Sequence, residues 1–263
     1  MLSKNTIKLI RSLELKKNRR KTGLFVAEGP KVVCELINSY NPNLIIATKE
    51  WIYNHTVLLD KVTKQINQRC TVIEVTEEEL SKASFMVHPQ QVMALFHIKN
   101  TLLSDLSLLE NKLSLALDGV QDPGNLGTII RIADWYGIDN IICSYDTADV
   151  YNPKVVQATM GSIARTNVIY TDLAKLLDDI STSFPVYGTF LDGNNIYREE
   201  LSPTGIIVMG NEGSGISSAI RDRVTKKILI PRFRSGECAE SLNVAIATAI
   251  TCAEFKRRFD NRL

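Results

Sequence analysis

Residues 113–131 read LSLALDGVQDPGNLGTIIR. The run Leu113–Leu117 has the length and composition of a strand buried on both faces. It stops at a polar, glycine-bearing cluster, Asp118-Gly119-Val120-Gln121-Asp122-Pro123-Gly124-Asn125, and a helix is expected after Gly127. Strand, polar turn and helix form the repeating unit of a parallel α/β sheet. The rhythm continues downstream, where Asn140–Cys143, Val186–Phe190, Ile206–Met209 and Ile228–Ile230 read as strands separated by helical patterns. One helix begins at Asn152-Pro153, an N-cap followed by proline in the first turn. Another begins at Asp172, and the last runs from Ser241 to the neighbourhood of Arg258. The expectation is an α/β fold whose parallel sheet is covered on both faces and holds ligands at the carboxyl ends of its strands.

Upstream the pattern also alternates. Ile7, Leu9, Ile10, Leu13 and Leu15 fit one basic amphipathic helix, and Leu24–Ala27 a short strand ending at Gly29-Pro30. Val32, Val33, Leu36 and Ile37 repeat with helical spacing; Leu44–Ala47, Thr71–Val75 and Val92–Phe96 read as strands; Thr76-Glu77-Glu78-Glu79 opens an acidic helix. A boundary is expected in the polar stretch Lys99–Asn111, which suits a chain of 263 residues, long enough for two domains.

Composition narrows the class. With 44% hydrophobic and 23% charged residues, a disordered or collagen-like chain is excluded. No run is long and apolar enough for a membrane helix, and the opening MLSKNTIKLIRSLELKKNRR lacks the apolar core of a signal peptide. The five cysteines form no CxxC pair and the three histidines have no ligand spacing. Free thiols, a cytoplasmic location and no metal site are expected. Net charge is only +2, but it is unevenly placed. Lys4, Lys8, Arg11, Lys16, Lys17, Arg19, Arg20, Lys21 and Lys31 face only Glu14 and Glu28, and Arg221, Arg223, Lys226, Lys227, Arg232 and Arg234 face only Asp222. Segregated positive charge suits a polyanion held on one side of the molecule, or two solvated helical faces.

Three strand ends carry the chemistry. After Leu113–Leu117 comes the cluster with Asn125, Gly127 and Arg131; after Ile206–Met209 comes Gly210-Asn211-Glu212-Gly213-Ser214-Gly215-Ile216; after Ile228–Ile230 comes a loop from Pro231 to Glu240, then Ser241-Leu242-Asn243-Val244. The glycine loop has the spacing G-x-x-G-x-G. It is neither the G-x-G-x-x-G turn of a dinucleotide-binding oxidoreductase nor a Walker loop, since Ile216-Ser217 stands where Lys-Ser/Thr is required. Taken alone it is a phosphate cradle or a plain structural turn, and Arg131 alone is a surface arginine.

Together the three clusters resemble the three motifs of the SpoU (TrmH) family of RNA 2′-O-ribose methyltransferases, within the SPOUT superfamily. Asn125-Leu126-Gly127-Thr128-Ile129-Ile130-Arg131 is similar to the first, N-x-G-x-x-x-R. Met209 to Ile216 is similar to the second, and Ile230-Pro231 with Ser241-Leu242-Asn243-Val244 to the third. Lys21-Thr22-Gly23-Leu24-Phe25-Val26-Ala27-Glu28-Gly29 resembles the substrate-binding domain often attached to this family. The resemblance implies a smaller α/β RNA-binding domain over residues 1–104 and a parallel-sheet, trefoil-knotted methyltransferase domain over residues 112–263.

By the same resemblance, S-adenosylmethionine is the cofactor, met near Thr189, Gly210, Ile230 and Leu242. Asn125, Glu212, Ser241 and Asn243 are polar groups that position the ribose and Arg131, and Arg131 is the residue tied to activation of the hydroxyl. A free arginine is a poor base, so an RNA phosphate accepts the proton or Arg131 stabilises the developing alkoxide. The implied partners are RNA, ribosomal before transfer RNA, and a second copy of the chain. The dimer surfaces would be the helix after Gly127 and the stripe Leu242, Ile246, Ala249, Ile250 and Ala253, unless that stripe only faces its own sheet. The alternatives are a transfer-RNA methyltransferase or a non-catalytic RNA- or ribosome-binding protein on the same fold. One departure stands out: the loop Arg232–Glu240 is longer and more charged than in many relatives; the resemblance implies that it wraps the cofactor, or that its two arginines instead extend the RNA-binding surface.

Overall fold

The computed structural model describes residues 2–65, 70–99, 109, 111–180, 184–237 and 239–259. The chain forms two compact units, Met1–Asn100 with Asp149–Ala164, and Thr101–Ala148 with Arg165–Leu263. The boundary expected in Lys99–Asn111 falls largely outside the described residues. Nothing in the sequence signals the second crossing, by which Asp149–Ala164 joins the first unit although it lies within residues 112–263.

In the first unit α1 (Lys4–Ser12), α2 (Lys16–Thr22), β1 (Leu24–Glu28), α3 (Pro30–Ile37), β2 (Pro42–Thr48), α4 (Lys49–Asn54), α5 (Thr56–Gln65), β3 (Thr71–Val75), α6 (Glu77–Ala83) and β4 (Val92–His97) follow in order. The sheet runs β1-β4-β2-β3, with β2 and β3 parallel and the other pairs antiparallel. A parallel pair needs a long crossover, which α4 and α5 supply. Alternation along β1 sends Leu24 and Val26 into a core with Ile10, Leu13, Leu80 and Leu95. Phe25 points the other way, its ring 5.3 Å from Tyr40 and 4.7 Å from Tyr151. Helix α8 (Pro153–Thr159) packs against β1.

The basic helix expected over Ile7–Leu15 ends at Ser12, and a separate helix begins at Lys16. Arg19 explains the break. Its side chain is 2% exposed and donates to the carbonyls of Leu13 and Glu14 at 2.7 Å, which α1 leaves unpaired, and to Asp149 at 2.6 Å. Removing one member of such a buried pair costs about 3–5 kcal/mol. Arg19 is therefore structural, while Lys17, Arg20 and Lys21 remain exposed.

The second unit contains β5 (Leu113–Asp118), α7 (Pro123–Trp135), β6 (Asn140–Cys143), β7 (Asn167–Tyr170), α9 (Leu173–Asp179), β8 (Val186–Asn195), β9 (Gly205–Gly210), α10 (Ser218–Arg221), β10 (Lys226–Leu229) and α11 (Val244–Phe259). Its six strands are all parallel, in the order β10-β8-β9-β5-β6-β7. The chain winds from β5 outward to β7, then crosses to build the other half. Strands β5 and β9 thus meet where the winding reverses, and both are buried throughout. In open parallel sheets ligands bind beyond the carboxyl ends at such a reversal, and pairing of Asp118 with Gly210 brings those two ends level.

Helix α11 leaves the edge strand β10 and packs on α7 and β9. Val244, Ala245, Thr248, Thr251, Cys252 and Phe255 form its buried side. The stripe read from the sequence lies elsewhere: Leu242 is 50% and Ile246 52% exposed, and Ala249, Ile250 and Ala253 are half-buried. It does not simply face its own sheet. The second basic stretch is also altered by folding. Arg221 and Lys227 pair with Asp192, Arg223 with Asp178 and Lys226 with Glu199. No helix among the described residues is long and apolar enough to cross a membrane.

Candidate active site

Strand β5 ends in two anchors. Asp118 is buried and accepts from the Ser217 amide at 2.7 Å. Gly119 turns the chain with φ of 72°, its amide donating to Ser144 Oγ at 2.9 Å. Asp122 then caps α7, accepting from the Asn125 amide at 2.8 Å, with Pro123 in the first turn. The helix therefore starts earlier than expected, because an aspartate N-cap followed by proline is a complete initiation signal. Asn125 consequently sits in the first turn of α7 at the strand end.

At the end of β9 the chain doubles back on itself. A Cβ on Gly210 would lie 2.3 Å from Gly215 C and Ile216 N, so only glycine fits. Asn211 and Gly215 exchange backbone hydrogen bonds at 2.9 and 3.0 Å. Asn211 Oδ1 accepts from the amides of Gly213 and Ser214, and its Nδ2 donates to the Gly119 carbonyl at 2.7 Å. The amides a phosphate cradle would offer at Gly213 and Ser214 are thus already engaged, and this loop is a turn that presents Glu212. Asn211, Asp118 and Ser144 are contributors that the sequence does not single out. Asn211 carries only the composition of a turn as a signal.

Three of the expected side chains form one line. Glu212 accepts from the amides of Gln121 and Asp122 at 3.3 Å each and from Asn125 Nδ2 at 2.9 Å. Asn243 Nδ2 donates to Asn125 Oδ1 at 2.9 Å, and Asn243 Oδ1 accepts from the amides of Ala245 and Ile246 at the start of α11. Both ends fix the direction of this line. A carboxylate only accepts, so Asn125 must turn its NH2 toward Glu212; backbone amides only donate, so Asn243 must turn its oxygen toward α11. Burial acts to raise the Glu212 carboxyl, but its hydrogen bonds outweigh that and hold it below the ordinary carboxylate range.

The other expected residues lie around this line. Ser241 and Leu242 are exposed on the approach to Asn243, and Ile230, just beyond β10, is half-buried. Thr189 follows Gly188, which pairs with Val208 and Lys227, and its hydroxyl donates to the Val208 carbonyl at 3.2 Å. Arg131 does not join the line. Six residues along α7 turn it roughly 240° from Asn125. It is exposed and makes no hydrogen bond or ion pair among the described residues. Its helix face also carries Trp135, which is 85% exposed. Among the described residues no group of three or more His, Cys, Asp or Glu is placed to hold a metal ion.

Residues 112–253 match the SpoU rRNA Methylase family. The chain belongs to the SpoU family. Residues 4–94 match the MRM3-like substrate binding domain. Among similar SpoU-type proteins is the 23S rRNA (guanosine(2553)-2′-O)-methyltransferase RlmP of Bacillus subtilis, 31% identical over 242 residues, 91% of each chain. A solved TrmH-family structure from Porphyromonas gingivalis is 38% identical with a TM-score of 0.81, covering 98% of this chain and 99% of that one. The S-adenosylmethionine-bound rRNA methyltransferase of Sinorhizobium meliloti is 29% identical with a TM-score of 0.84, covering 98% and 97%. All three strand-end clusters fall inside the SpoU match.

Proposed function

We propose that this chain transfers the methyl group of S-adenosylmethionine to a ribose 2′-hydroxyl of ribosomal RNA, and that it works as a homodimer. The observation that carries this reading is the line Glu212–Asn125–Asn243, which joins one side chain from each strand-end cluster where the sheet reverses.

The stretch of β8 around Thr189 and the carboxyl ends of β9 and β10 suit the cofactor in kind. Ile230 and Leu242 are not core residues and leave apolar surface free beside main-chain groups. Thr189 has spent its hydroxyl on Val208, so its backbone remains for recognition, as at Gly210. The bound cofactor supplies an electrophilic methyl group on a sulfonium. The chain's own task is to place a ribose hydroxyl in line with that methyl, and alignment contributes several kcal/mol, roughly 7–11 at best. Asn125 and Asn243 are held in one orientation by their shared line and present fixed polar edges to the ribose. Glu212 accepts three hydrogen bonds that hold it below the ordinary carboxylate range, so it sets that orientation rather than accepting a proton. Arg131, with no partner among the described residues, supports the 2′-oxygen while its proton passes to a neighbouring RNA phosphate or to water.

The half-exposed stripe on α11 and Trp135 on α7 supply the apolar surface for a second copy. The return of α11 from the edge strand to α7 and β9 is read as the trefoil knot the family resemblance implies. The exposed cations of α2 supply RNA affinity. The relative from Bacillus subtilis, named for 23S rRNA, supports ribosomal over transfer RNA. The test is methyl transfer to purified ribosomal and transfer RNA from a strain lacking this gene, followed by mapping of 2′-O-methyl positions. Transfer confined to transfer RNA would overturn the substrate, and RNA binding without transfer would make the chain a non-catalytic binder.

A further inference from the structure

The second basic stretch has six cations, and folding divides them. Arg221, Arg223, Lys226 and Lys227 are paired with carboxylates. Among the described residues Arg232 and Arg234 have no such partner. Arg232 donates to the Glu240 carbonyl, which leaves its charge uncompensated, and neither arginine pairs with Glu237 or Glu240 although all four are exposed in one loop. Between the two arginines stands Phe233, at 88% the most exposed Phe, Tyr or Trp among the described residues. The loop runs from the carboxyl end of β10 to Ser241-Leu242-Asn243, and Asn243 is hydrogen-bonded to Asn125. An unburied ring flanked by two guanidinium groups without a carboxylate partner among the described residues therefore stands on the same strand-end loop that delivers a side chain to the proposed reaction site.

Given the RNA methyltransferase reading above, we propose that Arg232-Phe233-Arg234 is a nucleobase platform: Phe233 stacks on an unpaired base beside the target ribose, and the two arginines hold the phosphates on either side of it. The chemistry favours RNA over a protein partner. A base offers a flat π-face to a solvent-exposed ring, and guanidinium groups pair with phosphate at the spacing of one nucleotide on each side. Such a platform holds the target nucleotide unpaired, which frees its ribose to approach Asn125 and Asn243.

The test compares the full-length protein with its Phe233→Ala, Phe233→Trp and Arg232→Ala/Arg234→Ala variants. The probe is large-subunit ribosomal RNA from a strain lacking the gene. Three quantities are measured: RNA affinity across a salt series, single-turnover methylation, and S-adenosylmethionine affinity by calorimetry. Phe233→Ala should weaken RNA binding roughly 5- to 100-fold, the range for loss of one base–aromatic stack. Phe233→Trp should restore most of it. The double arginine variant should flatten the salt dependence by about one to two counterions. Cofactor affinity should stay near wild type in all three, because the proposed contacts of Arg232, Phe233 and Arg234 are with RNA. RNA affinity unchanged in Phe233→Ala overturns the platform while leaving the methyltransferase reading intact. Cofactor affinity lost with RNA affinity kept overturns it too, and makes the loop a cover for the cofactor. Wild-type protein that binds RNA without methylating it would overturn the activity instead, and the binding comparison would still decide the role of Phe233.

Discussion

Replacing Glu212 by glutamine keeps the side-chain shape and removes the charge and one acceptor oxygen. The carboxylate receives three donors, two backbone amides at 3.3 Å and Asn125 Nδ2 at 2.9 Å. Glutamine can satisfy the Asp122 amide and Asn125 through its oxygen only by turning its own NH2 toward the Gln121 amide. One bond is then lost and two lose their charge assistance, each such loss being worth about 1 kcal/mol. Because Glu212 is exposed, solvent reduces the sum to about 1–2 kcal/mol. The opposite arrangement costs more, since reversing Asn125 reverses Asn243 and points an NH2 at the amides opening α11. Glu212→Gln should therefore slow single-turnover methylation roughly 5- to 30-fold, with cofactor affinity nearly unchanged. The pH profile provides a second check. Glu212 is held below its ordinary value near 4.5, so its stabilising contribution is complete above that value and is lost as pH falls through the lowered one. No acid limb from Glu212 should appear in the rate above about pH 5. An acid limb centred between about pH 5 and 7 that vanishes in Glu212→Gln would refute the reasoning and make Glu212 a proton-transfer group.

Arg131→Ala should lower turnover on the order of 10²–10³-fold while leaving cofactor affinity within a few-fold, and Arg131→Lys should recover little because the planar fork is lost. Calorimetry and single-turnover methylation on the same preparations check this. Reversing charge at Lys17, Arg20 and Lys21 should weaken RNA binding and reduce its salt slope by about one for each phosphate no longer neutralised, as read by a salt titration. That design is preferable to deleting residues 1–112, which would strip the cover from Val155 and Val156 on α8. Ile246→Glu, a change on the half-exposed side of α11, should yield a folded monomer with little activity; sedimentation showing an unchanged dimer would move the interface elsewhere.

Apolar runs in the sequence located β5, β6 and β9 because strands buried on both faces must be continuously apolar, whereas β8 and β10 showed only through the short runs Val186–Phe190 and Ile228–Ile230. Edge strand β7 escaped, since only Ile169 of its four residues is buried. Asn125, Arg131, Glu212 and Asn243 stood out only through the joint resemblance of the three clusters to the SpoU motifs, since each cluster alone reads as a plain turn or a surface group. What sequence order does not contain is proximity. Asn125 lies 87 residues from Glu212 and 118 from Asn243, and only the meeting of β5 with β9 and the return of α11 put their amides in one directed line. The same holds for charge. A count of cations treats Arg19, Arg221 and Arg234 alike, whereas the folded chain buries the first against Asp149, pairs the second with Asp192 and leaves the third exposed. Which charges remain available to RNA is a property of long-range pairing, since the carboxylates that neutralise them come from distant segments of the chain.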